Sequence, residues 1–362
     1  MSSKGKKANK LPVTVEAGLP EHLEEMRSKV FVRSTNLDHV NAAEDPDAFR
    51  AVNFDNSFSM EDFKKNFKIN ILEKSNEHLV FEMIGVSAPI ANALRRILIS
   101  DVPTMAIEKV ILYQNTSIIQ DEVLCHRLGL IPIHADPHKF KFLSEADGEP
   151  NTDNTTVFTL EATCTHNPQA SLSAPTHIQF NNSVLYSKDL KWVPQGEQAE
   201  IFADDPIRPV HDDIVLAKLR PGQTIEAELH VVKGIGRDHA KWSPAATAFY
   251  RQKPDVSFTE PIKGKDAEEF VKVCPMNVFD IEDLGNGPQV VTARPLDCTM
   301  CRECIRDPVN EKRVKLRRVR DHYIFSIESA GQLKPEVMFR DAIIEFKKKL
   351  GILFHELQAA EQ

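Results

Sequence analysis

Residues 87–103 read SAPIANALRRILISDVP, and this stretch decides the fold. Ser87 is a favoured helix cap, Pro89 fits a first helical turn, and Pro103 marks where the helix must stop. The apolar residues between them fall on one stripe at helical spacing; they are Ile90, Ala93, Leu94, Ile97 and Leu98. The stretch therefore predicts an amphipathic helix that buries one face.

Strand-like runs lie before and after this helix. Alternating residues at 67–71 and 79–83, separated by a turn signal at Ser75-Asn76, predict a β-hairpin. Farther along, residues 144–175 are rich in Ser, Thr, Asn and Asp and predict loops around a strand, while 225–231 alternates as a half-buried strand. Together these patterns predict an α+β protein with an inserted β-rich domain.

A second helix is predicted to begin at Pro335 and to run almost to the end of the sequence. Six apolar residues recur in it at spacings of 4, 3, 4, 3 and 4; they are Phe339, Ile343, Phe346, Leu350, Leu353 and Leu357. This is the pattern of a coiled-coil seam, which packs against another helix. A soluble monomer would leave the seam exposed, so we expect a protein partner.

The composition describes an ordinary globular protein. The chain has 362 residues, of which 41% are hydrophobic and 27% charged, and its formal net charge is -8. The acidic charge disfavours a free-standing nucleic-acid-binding protein, which needs Lys and Arg to neutralise phosphates. No apolar run approaches the roughly 20 residues of a membrane span, and the first residues do not resemble a secretory signal. We therefore expect an intracellular protein without a membrane partner.

No segment predicts an active site. A phosphate-binding Gly-rich loop, a nucleophile elbow and an acidic triplet for catalytic magnesium are missing from the sequence. The His and Asp residues of 134–138 surround Pro137, which signals a turn, and such short groups are usually solvated. We therefore expect a non-catalytic protein that requires no cofactor for catalysis.

Four of the six cysteines lie in residues 255–312, which look like a separate, ferredoxin-like module. Cys298, Cys301 and Cys304 are each separated by two residues, and Cys274 precedes a proline, as ligands of iron–sulfur clusters often do. Zinc also suits four thiolates, although structural zinc sites usually pair two cysteine knuckles. Reduced, unoccupied thiols are the third interpretation. We expect a structural iron–sulfur cluster before zinc.

Other charged groups are ambiguous on their own. Arg95 and Arg96 fit a solvated helix face, and Trp242 fits a loop anchor. A basic run follows the cysteines, but a strand would split it across two faces; its members are Lys312, Arg313, Lys315, Arg317, Arg318 and Arg320. An iron–sulfur electron carrier and a zinc-stabilised nucleic-acid-binding module therefore remain as rival functions.

The helix stretch and two later stretches resemble the alpha subunit family of cellular RNA polymerases. The resemblance lies in residues 92–108, 121–133 and 236–244, and it extends over about 65–358. It implies a discontinuous dimerisation domain with an insertion between its two segments. The implied organisation is an N-terminal extension (1–65), a first dimerisation segment (66–112), an insertion domain (113–245), the cysteine module (255–312) and a second dimerisation segment (313–358).

The same resemblance implies a role in polymerase assembly. The dimerisation helices, through Ile90, Leu94, Ile97, Leu98 and the C-terminal seam, would bind a smaller alpha-like chain, and the pair would dock the largest and second-largest subunits. Arg95 and Arg96 would lie near the second-largest subunit. The stretch 122–137 resembles the version shared by polymerases I and III. This implies a location in the nucleolus and nucleoplasm, with DNA and RNA reached only through the assembled complex.

Overall fold

A computed structural model describes residues 19–40, 45–146, 148–171, 175–283, 285 and 287–360. It confirms the α+β class. The helices are α1 (Glu21–Ser28), α2 (Met60–Asn66), α3 (Ala88–Ser100), α4 (Asp121–Gly129), α5 (Thr176–Gln179), α6 (Gln198–Ile201), α7 (Lys265–Val273), α8 (Pro308–Arg313) and α9 (Pro335–Ala360). None of the helices in these ranges is long and apolar enough to cross a membrane.

Most strands are short, and four are longer than ten residues. In chain order they are β1 (Lys29–Val32), β2 (Leu37–Asp38), β3 (Lys68–Lys74), β4 (His78–Ile84), β5 (Pro103–Asn115), β6 (Ile133–His134), β7 (Thr155–Thr163), β8 (Thr165–His166), β9 (Phe180–Asn181), β10 (Val184–Tyr186), β11 (Lys191–Val193), β12 (Arg208–Pro209), β13 (Val215–Lys218), β14 (Thr224–Ile235), β15 (Ala245–Phe258), β16 (Phe279–Asp283), β17 (Pro288–Thr292) and β18 (Val314–Ser329). The predicted hairpin corresponds to β3 and β4, which are neighbours in one sheet.

The chain divides into two compact units. Unit one contains the described residues up to Asn70, together with Glu82–Ala88 and Arg251–Ile324. One sheet of the chain, to which this unit contributes β1 and β2, has the order β2-β1-β18-β4-β3, with β15 also paired to β18.

Part of the N-terminal extension belongs to this sheet. The sequence predicted a surface extension over residues 1–65, but β1 pairs antiparallel with β18, with Lys29 opposite Val319. The physical reason is a short alternation that the composition of the segment hides, because Val30 and Val32 are buried on one face. Residues 1–18 and 41–44 of the extension lie outside the described ranges.

The cysteine segment packs around its own apolar cluster in unit one. The rings of Phe270 on α7 and Phe279 on β16 lie 4.9 Å apart, and β16 pairs with β17. Ile305 and Leu316 are buried in the same cluster. These contacts fix the loops that carry the cysteines.

Unit two contains Ile71–Phe81, Pro89–Tyr250 and the described chain from Phe325 onward. Its main sheet has the order β11-β7-β14-β5, and β14 pairs along its whole length with β5. The large apolar cluster of this unit includes Leu124 and Leu128 of α4 and Phe158 of β7. The strand predicted within 144–175 is β7, and the strand predicted at 225–231 is part of the longer β14.

The two predicted helices are also in unit two, except that Ala88 at the start of α3 is assigned to unit one. In α3 the buried residues are Ala91, Leu94, Ile97 and Leu98. At the start of α9, Phe339 packs edge-on against Phe81, with ring centroids 4.8 Å apart, and Phe81 stacks on Phe325 at 5.4 Å. The first part of α9 is thus anchored in the chain's own core.

Candidate assembly surface and cysteine site

The C-terminal half of α9 carries an exposed apolar stripe. Leu350, Leu353, Phe354 and Leu357 are each between 52% and 59% exposed. At 3.6 residues per turn these four side chains share one face of the helix. An uncovered stripe of this length is typical of a protein interaction site.

The structure divides the predicted dimerisation residues into two groups. Leu94, Ile97 and Leu98 are buried in the chain's own core, whereas Ile343 joins Leu350, Leu353 and Leu357 among the exposed residues. The remaining three predicted positions are half-buried; they are Ile90, Phe339 and Phe346. The exposed part of the predicted seam therefore lies on α9, whereas these three α3 residues are buried.

Sequence reasoning missed one member of the stripe. Phe354 is 59% exposed and lies one turn after Leu350, but it falls outside the strict heptad positions. The spacing of four residues from Leu350 was the signal that could have identified it.

The two predicted arginines differ in their surroundings. Arg95 turns back on its own helix and donates hydrogen bonds from Nε and Nη2 to Asn92 Oδ1, at 3.2 and 2.9 Å. The Arg96 side chain is exposed and makes no hydrogen bond or ion pair with any residue that the structure describes. Arg96 is therefore the arginine that is free to bind a partner.

Both arginines line a cavity of about 580 Å³ between α3 and α9. Its apolar lining comes from Ala93, Ile97, Ile99 and Phe346, and its polar lining includes Arg237 and Lys349. The cavity combines an apolar wall with several cations, a lining that suits a peptide carrying both apolar and acidic side chains.

Asp101 holds the cations of this cavity in place. Its carboxylate is only 8% exposed, forms an ion pair with Arg237, and lies 2.8 Å from Lys349 Nζ. Burial would raise the pKa of this carboxyl, but the bonds from Lys349 and Ser100 bring its pKa below the ordinary value. Asp101 is far from Arg237 and Lys349 in sequence, so no local pattern could have predicted the cluster.

The stretch 236–244 is held by its tryptophan, as predicted. Trp242 is buried and donates a hydrogen bond from Nε1 to the Val232 carbonyl at 3.2 Å. A Cβ on Gly234 would lie 2.3 Å from the indole, so only glycine fits there. This stretch supports β14 and the cavity residue Arg237 rather than a catalytic group.

The histidines near 134–138 are engaged in structural pairs. His134 Nε2 lies 2.7 Å from Asp205, and His138 bridges Asp136 at 2.8 Å and Asp341 at 3.1 Å. Both histidine side chains are at least 30% exposed. Nothing in this arrangement requires an acid–base role.

The basic run on β18 is largely occupied by internal partners. The Arg317 side chain is 6% exposed and pairs with Glu25 at 2.5 Å and Asp255 at 3.0 Å. Arg313 lies 3.5 Å from Asp266, and Arg320 donates to the Val40 carbonyl. These arginines stabilise unit one, which leaves little of the run to bind phosphates.

The structure brings the four predicted cysteines together. Cys274, Cys298, Cys301 and Cys304 line one cavity of about 10 Å³ in unit one. Cys274 and Cys304 are buried, and Cys301 is exposed at the rim. The other two cysteines, Cys125 and Cys164, belong to unit two.

Several residues near these thiols have left-handed backbone conformations. Asn277, Met300 and Arg302 have left-handed backbone angles, with φ of 50°, 59° and 68°. They are three of the six non-glycine residues with positive φ among the described residues, and all lie within three positions of a cysteine. Such conformations cost energy and concentrate at functional sites. The Val278 amide also donates to Cys274 Sγ at 3.5 Å.

Burial keeps two of the four thiols, those of Cys304 and Cys298, protonated when no metal is bound. It raises the pKa of Cys304 to about 12, and the neighbouring thiols act in the same direction. Burial likewise raises the pKa of Cys298. A bound cation would reverse this effect, because a metal ligates the thiolate form.

The chemistry of the donor set fits a four-thiolate centre, because four cysteines line the same cavity. As the side chains lie, no three His, Cys, Asp or Glu residues of the described chain are arranged to hold a metal ion. A cavity of about 10 Å³ has room for roughly one water molecule.

Comparison with known proteins gives a consistent result. Residues 80–350 match the family model described as the RNA polymerase Rpb3/Rpb11 dimerisation domain. A Dictyostelium discoideum protein named DNA-directed RNA polymerases I and III subunit rpac1 is 50% identical over 334 residues, covering 92% of this chain and 94% of that protein. The Homo sapiens protein of the corresponding name, RPAC1, is 43% identical over 341 residues, covering 94% and 98%.

A relative with lower sequence identity is also named as an RNA polymerase subunit. The DNA-directed RNA polymerase subunit Rpo3 of Methanosphaera stadtmanae is 36% identical over 270 residues, covering 74% of this chain and 90% of that protein. These relatives give no support to an iron–sulfur electron carrier or to a zinc-stabilised nucleic-acid-binding module.

Proposed function

The chain belongs to the RNA polymerase Rpb3/Rpb11 dimerisation-domain family, and we propose that it is an alpha-like assembly subunit of DNA-directed RNA polymerases I and III. Its task would be to pair with a smaller alpha-like chain and to give the large subunits a platform. The exposed stripe on α9 carries this proposal, because the family is a dimerisation family and the stripe has no cover in the described chain.

The stripe would bind the smaller alpha-like chain through a helix. Leu350, Leu353 and Leu357 alternate in the heptad manner, so a partner helix with a similar seam can interlock with them. The buried face of α3 would act indirectly, by keeping α9 in position.

The cavity between α3 and α9 would receive an acidic segment of the second-largest subunit. Arg96 supplies an unpaired guanidinium, and such a fork binds carboxylates in a bidentate manner. Arg95 would contribute mainly through its helix, since its guanidinium is occupied by Asn92. The largest subunit would join this assembly and complete it.

The proposed subunit is non-catalytic. Nucleotide addition would take place on the large subunits, and this chain would reach DNA and RNA only as part of the complex. A polymerase I and III subunit would act in the nucleus, in both nucleolus and nucleoplasm.

The four cysteines would hold a structural metal centre in this subunit. Cys274, Cys298, Cys301 and Cys304 would be the ligands, with an iron–sulfur cluster as the first candidate and zinc as the second. When bound, the centre would cross-link the loops that carry the cysteines and so stabilise unit one.

Affinity purification of the tagged chain from its native cells tests the function. At gentle salt we expect a smaller alpha-like chain and the large subunits of polymerases I and III to co-purify in fixed stoichiometry. Recovery of the chain alone, or with subunits of neither polymerase, would refute the proposal.

A further inference from the structure

One arginine of unit one is built into the cysteine site. Arg251 lies on β15 and donates hydrogen bonds from Nη2 to the Leu296 carbonyl at 2.6 Å and from Nη1 to the Cys298 carbonyl at 3.2 Å. A planar guanidinium that binds two carbonyls of one loop fixes the direction of that loop. The loop in question begins the Cys298-x2-Cys301-x2-Cys304 run.

The charge of Arg251 has no carboxylate partner in the part of the chain that the structure describes. Its side chain is half-buried, where an unpaired charge is costly. Arg294 provides the contrast, because it donates to the Asn277 carbonyl of the other cysteine loop but is also paired bidentately with Asp280, at 2.7 and 2.8 Å. Of these two arginines, Arg251 is therefore the one whose charge is not already paired with a carboxylate.

A four-thiolate metal centre would supply the missing negative charge. A zinc ion with four thiolates carries a formal charge of about -2, and a cubane iron–sulfur cluster with four thiolates carries about the same. Arg251 places a positive charge beside the loop whose thiolates would carry that negative charge.

We propose that Arg251 is the positioning residue of the cysteine site, which holds the Cys298 loop and offsets the charge of an anionic metal–thiolate centre. This inference rests on the proposed metal centre of the assembly subunit. Removing Arg251 should weaken retention of the metal and leave polymerase assembly intact, because the α3 and α9 surface belongs to unit two.

The test compares Arg251→Gln and Arg251→Lys with the wild type. Arg50→Gln serves as a matched control, since the Arg50 side chain is 81% exposed and lies outside the site. Each tagged chain is purified within its polymerase complex. Iron, acid-labile sulfide and zinc per chain are measured, followed by the rate at which the metal passes to a coloured chelator.

We expect metal release to be at least about tenfold faster in Arg251→Gln than in wild type, partly restored in Arg251→Lys, and unchanged in Arg50→Gln. If iron is present, the reduction potential should also become more negative in Arg251→Gln, because a cation near the cluster is lost. Either change with the polymerase subunits still bound would support the inference.

Two results would overturn it. One is wild-type release kinetics in Arg251→Gln, and the other is a wild-type complex that contains neither iron nor zinc. Loss of the polymerase subunits from the wild-type chain is a separate observation, which bears on the proposed function alone.

Discussion

The C-terminal half of α9 and the cysteine site differ in the kind of binding partner that each would need. On α9, side chains such as Leu353 and Phe354 are more than half exposed, so their apolar surface needs a protein partner. At the cysteine site the apolar surface is already buried, and the proposed metal centre would add a cation among Cys274, Cys298, Cys301 and Cys304. A partner would complete the first region by burying apolar surface, and a metal would complete the second by supplying charge.

This difference predicts how each region responds to change. A surface that is completed by the hydrophobic effect should depend weakly on salt and pH, whereas a thiolate site depends on deprotonation and on the available metal. Substitutions on α9 should alter assembly without altering the folded chain, and substitutions at the cysteines should do the reverse.

The largest expected effect is on partner binding. Leu350→Asp places a carboxylate at the centre of the exposed stripe, where a partner helix would bury it unpaired at a cost of several kcal/mol. We expect recovery of the smaller alpha-like chain to fall by about 100-fold or more. Quantitative mass spectrometry of the affinity-purified complex measures it.

His355→Asp is the control for this prediction. His355 is exposed on α9 but lies about 140° around the helix from Leu350, so its replacement introduces a carboxylate away from the stripe. Normal recovery in His355→Asp and normal recovery in Leu350→Asp together would show that the stripe does not bind the partner.

The second effect concerns the stability of unit one. Cys298→Ser removes one ligand of the proposed centre, so the metal should be lost or exchange much faster and the melting temperature should fall by several degrees. Calorimetry with metal analysis on the same sample measures both. Chelation of the wild type should lower its melting temperature to a similar value.

Cys125→Ser serves as the control, because Cys125 belongs to unit two. Equal metal content and equal melting curves for Cys298→Ser and the wild type would mean that the cysteines are unoccupied thiols. That result would remove the contrast between the two regions, since neither would then need a cation.

The sequence predicted the helices and the cysteine site better than it predicted which side chains are buried. The α3 and α9 helices follow directly from 3.6-residue periodicity, and the four cysteines from their spacing. Periodicity could not tell that Leu94 and Leu98 face the chain's own core while Leu350 and Leu357 do not, because an apolar stripe looks the same in both cases.

Ion pairs and hydrogen bonds between distant segments could not be predicted from the sequence, for a different reason. The ion pairs of Asp101 with Arg237 and Lys349, and the hydrogen bonds of Arg251 to the Cys298 loop, join residues from distant segments. The strand β1 was missed because four residues with two buried valines give too short a pattern within a polar segment.

The third effect separates the two neighbouring arginines of α3. Arg96→Glu should weaken recovery of the second-largest subunit by about tenfold. The substitution replaces the free guanidinium with a carboxylate, which would repel the acidic segment of the partner. Arg95→Gln should change it much less, since Arg95 already binds Asn92. Quantified subunit ratios at two salt concentrations measure it, and the Arg96 effect should shrink at high salt.

If Arg95→Gln and Arg96→Glu weakened recovery of the second-largest subunit equally, that subunit would not bind the cavity through the free guanidinium of Arg96. A loss that did not depend on salt would instead place the contact on the apolar wall of Ile97 and Phe346. The cavity would then resemble the α9 stripe rather than a charged site.

The smallest expected effect concerns a buried group of charged side chains that needs neither a protein partner nor a metal. In unit one, Glu82 lies 3.1 Å from both Lys253 and His322. The pKa of His322 is lowered below its ordinary value of 6.5, first by burial and then by the charge of Lys253. The pKa of Glu82 is also lowered: burial acts to raise it, but the hydrogen bonds from Lys253 and Asn70 outweigh burial.

Both shifts act in the same direction. Below pH 6.5 the unfolded His322 binds a proton that the folded one resists, and at lower pH the folded Glu82 must also be protonated. The free energy of unfolding of unit one should therefore fall as the pH is lowered from 7.5 to 5.5, while partner binding through α9 stays constant. His322→Gln should flatten this dependence in thermal melts, and an unchanged slope in that variant would assign the titration to other groups.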